Sequence, residues 1–332
     1  MNRKFVSHFT AFLAIVFILS ACGPAAQVKP RVALMLARGG LGDKAFNDSA
    51  NAGLQKAASQ LGAETKTFTY QEGDLQLQAF RQAARDGYNP IVALGSENAK
   101  ALTTVAAEYP KTSFAIIDTA ATGSNVTSVV FVETDGDFLA GALAALLSPN
   151  GKVGYLGGAD VTVIRRIAFG FKQGVAYVDP QAQVDEQLIG GKDDFSGFAK
   201  PDVAKQLTAN MYAAGDSIVY AAAGGSGLGA IDAAKAAGKP IITTGSDQTW
   251  IAPAVVVTSR TKNMDAAVFD LIQQFAQGKL QPGTITLDYK SGGIGMAPLS
   301  ATLVPAAIQA KYDQIRADLE AGKITVQPYT GQ

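Results

Sequence analysis

From residue 31 onward, short apolar runs alternate with longer stretches whose apolar residues recur every three or four positions. The run at 31–37 reads as a strand, and 48–61 as a helix. In that helix Ala52, Leu54, Ala57, Ala58 and Leu61 fall near helical spacing, and Gly62 stops it. Strands follow at 64–70, 90–94, 113–118 and 126–132, with helices at 75–87, 97–109 and 136–147. After Ser148-Pro-Asn-Gly151 a second series begins. Its strands are at 152–156, 183–189, 217–221, 240–243 and 255–259, and its helices at 163–178, 201–214, 228–238 and 265–277. A last helix is expected at 306–321. Short apolar strands between amphipathic helices mean a parallel sheet covered on both faces. Two such series predict an α/β protein of two hinged Rossmann-like lobes. The expected boundaries are 31–134 plus about 256–288 for the first lobe, and 135–255 plus about 289–332 for the second. Ligands of such sheets bind beyond the carboxyl ends of the strands, which here places the site between the lobes.

The first 21 residues read differently. Arg3 and Lys4 precede an apolar run, Phe9 to Leu19, too short to span a bilayer. Leu19-Ser-Ala-Cys22 then has the form of a lipobox. The reading is a lipoprotein signal peptide over 1–21, acylation (palmitate) on Cys22 and a tether over 22–30. It predicts an extracytoplasmic protein, periplasmic or on the outer face, held to a cell membrane by lipid alone.

Composition narrows the chemistry. Removing Arg3 and Lys4 leaves 26 basic against 28 acidic residues, a net charge of −2. That balance disfavours nucleic acid as a partner, which calls for a concentrated basic face. The single cysteine is Cys22 and the single histidine is His8, both in the leader or at its edge. Beyond them the chain offers no Ser-His or Cys-His nucleophile pair and none of the usual zinc ligand sets. No enzyme activity, cofactor or metal is expected. A nucleoside hydrolase would need water activated by carboxylates or a metal, and no dense Asp cluster of that type stands near the start.

Polar, aromatic and glycine residues recur just after the predicted strands. Asp43, Phe46, Asn47 and Asp48 follow the first, and Asp118 follows Phe114-Ala-Ile-Ile. Gly157, Gly158 and Asp160 follow 152–156; Gly224, Gly225, Ser226, Gly227 and Gly229 follow 217–221. Gly245, Ser246, Asp247 and Gln248 come next, then Ser259, Arg260 and Lys262. Singly, each is an ordinary helix cap or turn residue. The run Gly225-Ser-Gly-Leu-Gly-Ala230 is a weak dinucleotide fingerprint that stands late in the chain. Converging on one cleft, the set offers aromatic faces for a heterocycle, carboxylates for ring N–H or ribose hydroxyls, and few cations for phosphate.

Gly39-Gly-Leu-Gly-Asp-Lys-Ala-Phe-Asn-Asp48, Phe114-Ala-Ile-Ile-Asp118 and Phe138-Leu-Ala-Gly141 resemble the basic membrane protein family of bacterial lipoproteins. So do Gly154-Tyr-Leu-Gly-Gly158, Val163-Ile-Arg-Arg166 with Gly170-Phe171, Ala223-Gly-Gly-Ser-Gly227 and Gly245-Ser-Asp-Gln248. The best understood members are purine-nucleoside receptors of the PnrA type. The resemblance implies type I periplasmic-binding lobes that capture a nucleoside and pass it to an ABC permease and its ATPase. It implies Phe46 and Phe198 (or Phe195) as an aromatic sandwich, Asn47 and Asp118 at the base edge, and Gly225, Gly227, Asp247 and Lys262 at the ribose. Two departures stand out. Ala37 replaces an acidic residue common in relatives, and Gly190–Lys200 lacks the usual aromatic-x-Asp-Pro form. The same fold also admits a sugar or other small solute, or a ligand-sensing role.

Overall fold

The computed structural model describes residues 29–331. The expected leader, the Cys22 lipidation site and most of the tether lie outside the described residues. Within them, no helix is long and apolar enough to cross a membrane.

Two six-stranded sheets organise the chain, in the orders β11-β5-β4-β3-β1-β2 and β12-β10-β9-β8-β6-β7. The first contains β1 (Arg31–Met35), β2 (Glu64–Phe68), β3 (Ile91–Leu94), β4 (Phe114–Ile117), β5 (Val126–Phe131) and β11 (Gly283–Leu287). The second contains β6 (Lys152–Gly157), β7 (Gln183–Leu188), β8 (Val219–Ala222), β9 (Ile241–Gly245), β10 (Val256–Lys262) and β12 (Ile294–Met296). All pairings are parallel except β12 on β10. The central strands are buried throughout, as apolar runs such as Ile91–Leu94 require when helices cover both faces.

Helices α1 (Phe46–Leu61), α2 (Asp74–Arg85), α3 (Ala99–Glu108) and α8 (Met264–Ala276) flank the first sheet. Helices α4 (Thr134–Leu146), α5 (Thr162–Val178), α6 (Pro201–Ala213), α7 (Gly227–Ala237) and α9 (Ala306–Glu320) serve the second. Helices α4 and α5 approach backbone to backbone. A Cβ on Gly141 would lie 2.0 Å from Phe171 O, and one on Gly174 would lie 1.9 Å from Phe138 O. The two glycines therefore permit a contact that any side chain would push apart.

Among the described residues the chain passes between lobes three times: from β5 to α4, from β10 to α8, and from β11 to β12. The strand at 256–262 corrects the expected boundary, because β10 pairs with β9 in the second sheet. The return to the first lobe comes after Lys262, not before Val256. Strands β11 and β12 went unread because both are short edge strands: β11 exposes Gly283, Thr284 and Thr286, and β12 is only three residues long.

Candidate ligand-binding cleft

The first turn shows how side chains set the site. Asp43 is buried, and its carboxylate accepts from the N–H groups of Ala45, Asn47 and Asp48 at 2.9, 2.8 and 3.1 Å. The amides that open α1 are thus already occupied by an anion of the chain itself, and the glycine-rich turn has no free helix terminus for a phosphate. Asp48 accepts in turn from Gly42 N and Lys44 N. This bracing delivers Phe46 to the cleft wall.

A cavity of about 600 Å³ lies between the strand ends of the two sheets. Phe46 enters it from the first lobe, and Phe195 and Phe198 from the second. Phe198 sits in a short 3-10 turn, Phe195–Ala199, against Gly158, where a Cβ would come within 2.3 Å of its ring. Val161, Val163, Ile164 and Ile167 of α5 and the turn before it add an apolar wall.

The polar groups are held in a chain of ion pairs. Lys262 Nζ donates to Asp118 Oδ1 at 2.5 Å and to Glu133 Oε1 at 2.7 Å. Arg166 Nε donates to Glu133 Oε2 at 2.5 Å. Asp118 has a left-handed backbone, φ 76°, which Asp tolerates better than most residues and which is common at ligand sites. Burial pushes its carboxyl upward, against the opposing pull of Lys262. Burial would raise Glu133 too, but Lys262 and Arg166 together hold it at about 2. Behind them Arg260 Nε donates to Asp137 Oδ1 at 2.8 Å, and Tyr220 donates to the same oxygen at 2.5 Å. Burial raises Asp137 to about 6 even beside Arg260.

The lobes touch at the rim. Lys44 O accepts from Ser246 Oγ at 2.6 Å and from Gln248 Nε2 at 2.9 Å. A Cβ on Gly245 would lie 2.9 Å from that of Ala45. This is a closed arrangement.

The expected residues divide into two groups. Phe46, Asn47, Asp118, Phe198 and Lys262 all line the cleft. Asn47 also serves the fold: its Oδ1 accepts from Ala37 N and its Nδ2 donates one hydrogen to Asp43, which leaves its second amide hydrogen uncommitted. Asp118 and Lys262, expected at opposite ends of the ligand, are bonded to each other. Gly225, Gly227 and Asp247 do not line the cavity; Gly224, Thr244 and Gly245 of the same turns do. Gly225 faces Phe198 O and Asp43 across the rim, Gly227 begins α7, and exposed Asp247 caps Thr249 N at 3.0 Å. Sequence reasoning missed Arg38, Glu97 and Arg166 in the wall, and Glu133 behind it. Arg38, Glu97 and Glu133 carried a usable signal, since each follows a predicted strand, whereas Arg166 lies inside a helix.

With this geometry, the chain can be compared with known proteins. A family profile described as ABC transporter substrate-binding protein PnrA-like matches residues 30–324. The CD4+ T-cell-stimulating antigen of Listeria monocytogenes is 32% identical, over 85% of this chain and 87% of its own. The ABC transporter nucleoside-binding protein BmpA of Lactococcus lactis is 29% identical, over 98% of this chain and 99% of its own. Among solved structures, a solute-binding protein of an ABC transporter system from Aeropyrum pernix has a TM-score of 0.83 at 24% identity. It covers 91% of this chain and 94% of its own.

Proposed function

We propose a function from one premise: the chain belongs to the PnrA-like family of ABC transporter substrate-binding proteins. Members of this family bind small ligands and work with a permease and its ATPase. The finer reading is that this chain captures a purine nucleoside and hands it on from a lipid anchor at Cys22, without turning it over.

The observation that carries the nucleoside reading is the pairing of aromatic faces. Phe46 and Phe198 come from different lobes and line one cavity. A planar heterocycle between them would gain roughly 1–3 kcal/mol from each stacking face. The bonded pair of Asp118 and Lys262 offers an acceptor and a donor together, which suits the adjacent hydroxyls of a ribose. Lys262, Arg166 and Arg260 each already face a carboxylate. The balance favours an uncharged ligand over a nucleotide. A sugar could use the polar pair but would leave the base half of the cavity unmatched. Closure follows naturally, since a ligand held by both aromatic rings ties the lobes together.

The test is to purify the protein without added ligand, denature it and identify what is released by absorbance and mass spectrometry. Near-stoichiometric purine nucleoside supports the reading. A sugar or another solute in that amount contradicts it.

A further inference from the structure

Glu97 lies in the first turn after β3, lines the cleft and is partly buried. Its Oε1 accepts from Arg38 N at 3.0 Å, while Asn47 Oδ1 accepts from the neighbouring Ala37 N at 2.9 Å. The two side chains hold consecutive amides at the end of β1. Glu97 is thereby fixed near the start of α1, the helix that begins with Phe46.

The other carboxylates of the wall are committed or exposed. Asp43 caps α1, Asp118 is paired with Lys262, and Asp193 faces solvent. Glu97 forms no salt bridge among the described residues. Its remaining oxygen, Oε2, lies over Gly95, where a Cβ would collide with it. Ala37, at the same strand end, brings no polar atom. Even a partly buried carboxylate without a cation is disfavoured unless donors reach it. Burial pushes this carboxyl upward, and a donating ligand would restore its ionised form.

We infer that Glu97 reads the hydrogen-donating edge of the base, and that the protein prefers 6-oxopurine nucleosides to adenosine. This rests on the nucleoside reading above. A 6-oxopurine presents N1–H, and guanine sets its 2-amino group beside it, so a carboxylate accepts one bond or two. Adenine offers a ring lone pair at N1, which a carboxylate repels.

The experiment is calorimetric titration of ligand-free protein and of Glu97→Gln with guanosine, inosine and adenosine, with thermal melts of both. Glu97→Gln keeps an oxygen for Arg38 N, so its melting temperature should not fall. Wild-type protein should favour guanosine and inosine, and the variant should lose about tenfold or more for these two while adenosine changes little. A wild-type preference for adenosine, or unchanged selectivity in a folded variant, overturns the role of Glu97 but leaves the nucleoside reading standing. Failure of all three nucleosides to bind wild-type protein overturns both.

Discussion

Asp118, at the end of β4 in the first lobe, and Lys262, at the end of β10 in the second, share a hydrogen bond of 2.5 Å across the cleft. Lys262 also reaches Glu133, on the first crossover between lobes, and itself ends the strand that leads into the second. One ammonium therefore joins the ligand wall to the hinge.

Lys262→Met leaves Asp118 and Glu133 buried with less compensation. Removing one partner of a buried pair costs roughly 3–5 kcal/mol. Arg166 still faces Glu133, so the low end is expected. Denaturant unfolding should report that loss, and titration should show nucleoside binding weakened as well. Unchanged stability would mean that the carboxylates do not depend on Lys262.

Phe46→Ala and Phe198→Ala should each weaken nucleoside binding by roughly 1–3 kcal/mol. Both rings are only partly buried, so stability should change far less than affinity. Titration of each variant checks this; loss of fold rather than affinity would contradict it.

Gly158→Ala should act on the same ring from behind. The added Cβ would meet the Phe198 ring at 2.3 Å and displace it. Affinity should fall, and Gly158→Ala combined with Phe198→Ala should be little worse than Phe198→Ala alone. Additive losses would mean that Gly158 acts elsewhere.

Acid should expose Glu133. Its carboxyl sits at about 2 in the fold, below the usual 4.5, so it contributes stability at pH values above 4.5. That contribution is lost as pH falls from about 4.5 towards 2. Glu133→Gln should flatten the acid limb of a stability–pH curve over this window. An unchanged limb would place the acid sensitivity in other groups.

The alternation of strands and helices was legible because buried parallel strands are apolar along their whole length, as in Ile91–Leu94 and Phe114–Ile117. Strand β11 was not, because Thr284 and Thr286 alternate with Ile285 and Leu287 at an exposed sheet edge. Nothing in Val256–Lys262 tells which of two similar sheets it joins; pairing decides that. At the site, Phe46, Asp118 and Lys262 stood out as strand-end residues. The place of Asp247 outside the cavity did not, because the same carboxylate serves a ligand or its own turn, and only its hydrogen bond to Thr249 N distinguishes them. Arg166 was hidden inside a helix, where an arginine reads as a solvated side chain.

The most direct measurement is titration of the purified, ligand-free protein with a purine nucleoside, with ribose and a hexose as controls. Saturable one-to-one binding of the nucleoside, with no heat from either sugar, is the predicted result. Binding of a sugar in its place, or no binding of any nucleoside, would contradict a cleft built around Phe46 and Phe198.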